Sequence, residues 1–414
     1  MSLREFRRAG HAPTLASAFL YFDVSFMVWV ILGPLGPFLG ESLKLSASQK
    51  GFLTAVPLLG GSFFRIILGW MTQRIGGRRT GLIGLSLTLV PLALAWQWAA
   101  SFGQFLAVGL LLGIAGASFA AALPLASGWY PPEYQGLAMG IAGAGNSGTL
   151  LATLFAPRLA QALGWRSVFA IAMIPVCLVW LFFVFMAKDA PRRGPVYRWR
   201  DYAAVFAQPD TAWFCFIYSI TFGGFSGLAS YLSVFYHDQY GLTKVQAGDV
   251  TTLVVLFGSF LRPVGGWLSD RIGGVRMLQV LLGGIALCLA GVGTLPPVTA
   301  AVGLLILTMA QLGMGNGAVF QLVPQRFPTQ VGMLTGIVGA AGGLGGFFLP
   351  SLLGTLKQST GSFGPGFAVF ASVAGCGLAA LLLLRHNWRR TWPYESAVRA
   401  GLAPVEDAAV AVAE

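Results

Sequence analysis

Charge is what this 414-residue chain has least of: Asp, Glu, Lys and Arg together make up 10% of it, against 56% hydrophobic residues. Soluble domains carry roughly 25% charged residues, so the composition is that of a protein crossing a lipid bilayer many times. Acid is scarcer than base, with 14 Asp and Glu against 26 Lys and Arg. Cysteine is scarce too: Cys177, Cys215, Cys288 and Cys376 fall singly in apolar stretches, without CxxC spacing. That excludes a disulfide framework and a thiolate metal site, and reads as buried, inert thiols. No metal cluster, catalytic triad or nucleotide-binding loop is in evidence, so no metal, no cofactor and no enzymatic activity are expected. No cleavable leader is expected either. Met1 to Ala12 carries Arg4, Arg7 and Arg8, and the apolar run after it is too long for a signal core.

What is abundant is glycine, 56 residues, about twice the usual ~7%. Glycine at that frequency lets transmembrane helices pack backbone to backbone. Apolar runs of ~20 residues or more predict an all-α integral membrane protein with twelve transmembrane helices. They fall at 14–39, 51–74, 79–100, 103–127, 135–160, 166–187, 210–236, 246–272, 275–295, 299–323, 330–355 and 363–385. The termini and the loops on their side hold 18 Lys and Arg, and the opposite side holds six. By the positive-inside rule both termini are then cytoplasmic. The net charge of +12 is topological in origin, and no nucleic-acid partner is expected. Residues 1–187 form an N-terminal six-helix bundle and 210–390 a C-terminal one. Between them lies a cytoplasmic linker, 188–209, with Pro191, Arg192, Arg193 and Gly194 among aromatics. The tail, 391–414, is rich in Ala, Val and Glu and is expected to be poorly ordered.

Two arginines break the apolar runs, and they do so inside a repeated motif. Arg65-Ile-Ile-Leu-Gly69-Trp70-Met-Thr-Gln73-Arg74-Ile-Gly76-Gly77 is matched 197 residues later by Arg262-Pro-Val-Gly-Gly266-Trp267-Leu-Ser-Asp270-Arg271-Ile-Gly273-Gly274. A second repeat has an offset of 196: Pro132-Glu-Tyr-Gln-Gly136-Leu-Ala-Met-Gly140-Ile141 matches Pro328-Thr-Gln-Val-Gly332-Met-Leu-Thr-Gly336-Ile337. Each copy leads into a glycine-dense stretch. One holds Gly143, Gly145, Asn146 and Gly148; the other holds Gly342 and Gly343. These glycines are expected to serve close helix packing. Parallel six-helix repeats around a midplane site predict two pseudo-symmetric bundles.

An unpaired guanidinium at bilayer depth costs at least ~2.5–3.5 kcal/mol on insertion scales. Arg65 lies about ten residues from Arg74, roughly 15 Å along a helix, which is too far for easy snorkelling. Only Asp23, of all the acids, falls well inside a predicted span. The missing negative charge is what a transported anion would supply. Guanidinium is planar, permanently charged and able to present paired donors to a planar oxyanion. No lysine falls inside a span, which favours a small monovalent anion over a phosphate ester.

The Gly-x-x-x-Asp-Arg-x-Gly-x-x-Arg pattern is nearly complete from Gly266 to Arg276 and resembles the loop signature of the major facilitator superfamily. In the first copy Gln73 replaces the acid. Together with the paired arginines and the stretches Gly140–Pro157 and Gly336–Pro350, residues 14–385 resemble the NarK-type nitrate/nitrite porters of that superfamily. The resemblance implies that Arg65 and Arg262 clamp the anion, that Asn146 hydrogen-bonds it and that Tyr218 contacts it. It implies also that Phe119 and Phe222, and more distantly Phe26, stack on or gate the flat anion. Gly69, Arg74, Gly266, Asp270 and Arg271 become the conformational motif, with Gln73 standing where the first half would carry the acid of an acidic–basic latch. Opposite Asn146 the second half has glycine, so a polar side chain from the eleventh helix is not expected.

These readings combine into a secondary transporter of nitrate, and of nitrite, across the cytoplasmic (inner) membrane, monomeric and working by alternating access. Asp23 is the candidate for proton coupling, with proton symport favoured. The alternatives are nitrate/nitrite antiport, carriage of another small anion, a non-transporting nitrate receptor and a proton-driven drug exporter.

Overall fold

The structure, a computed structural model, describes residues 3–190, 196–328 and 330–403. Pro191, Arg192, Arg193 and Gly194 of the expected linker, and tail residues 404–414, lie outside the described residues. So do the side chains of Arg4 and Arg7. The described helices are arranged as the twelve expected crossings. Eleven crossings among the described residues are long apolar stretches: Ala12–Ser42, Ala47–Ile75, Gly77–Gln97, Phe102–Ser127, Trp165–Met186, Pro209–Tyr240, Lys244–Ile272, Gly274–Gly293, Val298–Arg326, Val331–Thr360 and Gly364–Thr391. The fifth crossing comes in three pieces: helix Pro132–Gly143, a 3-10 turn Ala144–Ser147, and helix Gly148–Leu163.

Local chemistry repeats with the sequence. The second and eighth spans both start in capping boxes, Ser46 with Gln49 and Thr243 with Gln246, which satisfy two orphan N–H groups at each start. Both spans end on glycines in the left-handed region, Gly76 at φ 91° and Gly273 at φ 89°, where a Cβ would be strained. In each half a later segment returns to this turn. The Asp189 carboxylate accepts from the Arg78 N–H at 2.8 Å, and the Ala400 carbonyl accepts from the Val275 N–H at 3.0 Å.

The bundles meet through the first span against the seventh, the second against the eleventh, and the fifth against the eighth. On the face away from the termini this seam is closed. A Cβ on Gly51 would lie 2.5 Å from the Pro350 carbonyl oxygen, so the second and eleventh backbones touch there. Ion pairs cross the same seam: Lys50–Asp238 at 2.7 Å, Arg158–Asp249 at 2.5 Å, and Lys244 with Glu41. On the face that carries the termini, a cavity of about 710 Å³ opens between the bundles.

Three expectations are corrected. The tail is ordered to residue 403. Tyr394–Arg399 forms a short helix, and Ala397, Ala400 and Leu402 are buried against the turn at Gly273 because they supply it with apolar cover and a carbonyl cap. The cysteines are not all buried: Cys177 and Cys376 are exposed on the outer surface, while Cys215 and Cys288 are half-buried. An outer surface facing lipid tolerates a thiol as readily as a core does. Gly143 faces open space, whereas Gly145 and Gly148 press on the first span and Gly342 and Gly343 on the seventh and second. Gly143 lies just before the 3-10 turn, ahead of the face that is packed.

Candidate functional site

Arg65 is buried, 1% exposed, midway along the second span. Its Nη1 donates to the Gly339 carbonyl at 2.5 Å and its Nη2 to the Gly116 carbonyl at 2.8 Å, while Nε has no partner. The Gly116 carbonyl is free for this contact because the fourth span breaks beside it. Helix Phe102–Gly116 stops there and Phe119–Ser127 begins, and the Ala120 N–H bonds Ala117 instead of Gly116. Gly339 belongs to the eleventh span, so one guanidinium bridges both bundles. A Cβ on Gly339 would stand 3.2 Å from the Arg65 side chain.

Arg262 differs locally. Its neighbour Pro263 has no N–H and would clash with the carbonyl four residues earlier, and the eighth span breaks at Leu261. Arg262 is the first residue of the following helix, and its buried Nη1 has no hydrogen-bond partner. Neither arginine takes part in any of the four ion pairs found among the described residues. The two guanidiniums share one ring: Phe119 has the Arg65 Cζ at 5.2 Å and the Arg262 Cζ at 5.7 Å from its centroid. The face of an aromatic ring is negative, and such contacts partly offset an unneutralised cation.

Phe119 belongs to a closed circuit of aromatics that runs through both bundles. Tyr218 stacks on Phe222 with centroids 5.1 Å apart, and Phe320 lies 5.0 Å from Tyr218 and 6.0 Å from Phe119. Phe119 meets Phe22 at 5.6 Å, Phe22 meets Phe26 at 5.4 Å, and Phe26 returns to Phe222 at 6.4 Å. The first and seventh spans contribute related positions, since Phe22 and Phe26 precede Tyr218 and Phe222 by 196 residues. Arg65 also lies over Trp29 at 5.7 Å and Phe222 at 5.5 Å, and Arg262 over Phe320 at 5.9 Å.

The structure therefore brings Arg65, Arg262, Phe119, Phe222 and Tyr218 together, with Phe26 one ring behind. The Tyr218 hydroxyl is buried and lies near the Arg262 guanidinium, without a hydrogen bond of good geometry to it. Asn146 stands in the 3-10 turn, fully buried, with both amide atoms unpartnered, where the turn packs on the first span and on the helix leading to Leu261. It makes no hydrogen bond to either guanidinium. Asp23 lies behind the aromatic circuit. The Ser147 hydroxyl donates to its Oδ1 at 2.7 Å, and Asp23 takes part in none of the four ion pairs. Gly148 brings the fifth span onto the Asp23 carbonyl, with no room for a Cβ.

Of these residues only Arg65 and Phe119 line the open cavity, so Phe119 stands between it and the rest of the circuit. At the cavity mouth Gln73, which replaces the motif acid, is tied to the linker. Its Nε2 donates to the Tyr202 hydroxyl at 2.9 Å, and its Oε1 accepts from the Tyr197 N–H at 3.1 Å. Arg74 lies over Trp70 at 4.7 Å and Arg271 over Trp267 at 3.9 Å. A Cβ on Gly69 would stand 3.7 Å from Ala120 and one on Gly266 4.0 Å from Gly317, both ordinary contacts, and Asp270 is exposed.

Sequence reasoning missed Trp29, Phe320 and Asn316. Trp29 donates to the Pro57 carbonyl at 2.6 Å and covers Gly61 and Gly116. Nothing in a single sequence distinguishes Phe320 among 31 phenylalanines. Asn316 is set between Gly315 and Gly317 in the tenth span, one of several amides there, and no motif sets it apart from Gln311 and Gln321.

Residues 17–350 match the model of the Major Facilitator Superfamily. The chain is 36% identical to the "Probable nitrate/nitrite transporter NarK2" of Mycobacterium tuberculosis, over 83% of this chain and 89% of that protein. It is 35% identical to the "Nitrite extrusion protein" of Bacillus subtilis, over 87% and 90% of the two chains. In three dimensions it resembles a D-xylose–proton symporter with a TM-score of 0.74 at 17% identity, covering 93% and 98% of the chains, which shows the shared fold. These are multi-pass membrane transporters rather than enzymes, and this chain belongs to the NarK-type nitrate/nitrite porter family of the major facilitator superfamily.

Proposed function

We propose that the protein carries nitrate, and nitrite, across the cytoplasmic membrane by alternating access, with both termini in the cytoplasm and the monomer as the working unit. The observation that carries this reading is the pair of central guanidiniums with no carboxylate partner. Arg65 is satisfied only by carbonyls and rings, and Arg262 keeps a buried, unpartnered Nη1. A bound anion supplies the charge that the protein withholds. A trigonal oxyanion accepts in-plane hydrogen bonds from guanidinium and stacks its face on phenyl rings, and Phe119 and Phe222 offer those rings. Asn146 and Tyr218 add neutral donors, and the glycines of the fifth and eleventh spans let the bundles rock against each other. The names of the relatives support the choice of nitrate and nitrite.

In this state the binding cavity opens to the terminal face, which the basic loops assign to the cytoplasm. Arg65 holds the Gly339 carbonyl across the bundles, a contact that an arriving anion would exchange for its own oxygens. Asp23, hydrogen-bonded to Ser147 and unneutralised, is the group proposed to carry a proton with the anion. Flux into proteoliposomes tests the whole reading. Nitrate uptake should be driven by an inward proton gradient without internal nitrite. Uptake only when nitrite is inside would replace symport by exchange, and nitrate binding without counterflow would replace the transporter by a receptor.

A further inference from the structure

The eleventh span has glycine at the position related to Asn146, so the repeat supplies no second amide there. The tenth span holds an amide that nothing in the motifs marked. Asn316 is fully buried, and both its Oδ1 and its Nδ2 lack a hydrogen-bond partner. A buried amide left unsatisfied costs about 1–3 kcal/mol per group, so such a side chain needs a ligand, a water or another reason to be kept.

Three glycines around it fix where it points. A Cβ on Gly313 would strike Gly258 of the eighth span, and one on Gly317 would strike the Arg262 carbonyl and the Gly266 backbone. A Cβ on Gly315 would lie 2.7 Å from the Thr221 side chain of the seventh span. The tenth span is thus wedged between the seventh and eighth at the level of Arg262. On a helix, residues four apart share a face, so Asn316 sits one turn from Phe320. The Phe320 ring touches Tyr218, Phe119 and Arg262. Thr221 and Ser259, on the two flanking spans, also carry buried hydroxyls without partners. The packing of the tenth span thus sets Asn316 at the level of Arg262, one turn from Phe320, with unbonded hydroxyls on both flanking spans.

We propose that Asn316 is a second amide ligand for the transported oxyanion, a C-terminal complement to Asn146, and that it sets the preference between three-oxygen and two-oxygen anions. This rests on the anion-transport reading above. Its Nδ2 donates to an anion oxygen, and its Oδ1 accepts from a neighbouring donor, of which the Arg262 Nη1 and the Thr221 and Ser259 hydroxyls are unpaired. If an amide from each bundle joins the two guanidiniums on the bound anion, a trigonal anion has a donor for each oxygen. A bent two-oxygen anion leaves one amide unused.

Nitrate and nitrite transport by N316L, near-isosteric and without donors, tests this beside the wild type and a second variant, N316S, which covers a failure of N316L to fold. The expected result is a KM for nitrate raised about tenfold or more, with nitrite affected several-fold less, so that the nitrate-to-nitrite ratio falls. A change in that ratio is a readout that a packing role would not produce. Folded variants with nitrate KM and selectivity within about twofold of the wild type would overturn the proposal. A wild type that carries another oxyanion and not nitrate would overturn the nitrate assignment alone, and the same variants are then compared on that anion. A wild type that binds none would overturn both.

Discussion

Arg65 is the residue on which most of the chemistry turns, and it was legible because its cost is legible. A permanent cation in the middle of an apolar run has to be compensated, and a sequence with one candidate intramembrane acid cannot compensate two. What the sequence could not reveal is the form of the compensation: the carbonyls of Gly116 and Gly339 and the rings of Trp29, Phe119 and Phe222. Ring partners are set by helix packing, which one sequence does not encode at the level of a single phenylalanine. Asn316 escaped for the same reason. Asp23 is the other residue whose chemistry was readable, and among the described residues its side-chain hydrogen bond comes from Ser147. D23N keeps the size and can still bond that hydroxyl but cannot carry a proton. It should abolish the pH dependence of nitrate uptake while sparing nitrate/nitrite exchange. Uptake that still follows the proton gradient in D23N would place the coupling elsewhere.

Helix by helix, length and apolarity located the spans, because a bilayer demands about 20 apolar residues whatever else a helix does. The interruptions were less legible, and they are where the site is made. Pro263 was a visible breaker, and it separates the eighth span at Leu261 from the otherwise parallel second span, which has Ile66 at that position. The break after Gly116 and the 3-10 turn at Ala144–Ser147 carry no proline and arise where glycine allows a neighbour to come close. Gly148 is the sharpest case, because a Cβ there would overlap the Asp23 carbonyl, whereas Gly143 has open space. Overpacking of this kind costs about 1–3 kcal/mol, and Ala in place of a helical Gly whose Cβ would meet no neighbour gains up to about 1 kcal/mol. G148A should thus lower the melting temperature in detergent by several degrees and reduce flux, while G143A leaves melting unchanged or raised. Equal melting temperatures for the two variants would contradict the packing role assigned to Gly148.

At the scale of the whole molecule, two six-helix bundles meet tightly on one face and part on the other. The closed face is held by backbone contact at Gly51 and by ion pairs such as Lys50–Asp238. The open face leads to Arg65 and Phe119. Internal duplication made this architecture readable: the capping boxes at Ser46 and Thr243 and the turns at Gly76 and Gly273 recur 197 residues apart. The docked segment at Tyr394–Arg399 was not readable, since its few apolar residues make sense only against the turn they cover. Arg65 and Arg262 come from different bundles, so an anion held by both ties the halves together. Each charge-assisted hydrogen bond is worth about 1.5–3 kcal/mol, or roughly ten- to a hundredfold in affinity, and lysine keeps the charge but loses the planar fork. The most direct measurement is therefore nitrate binding and counterflow by purified R65K and R262K beside the wild type. Folded variants should each lose at least about tenfold in nitrate affinity and nearly all counterflow. Near-normal binding and flux in either one would contradict the two-arginine clamp.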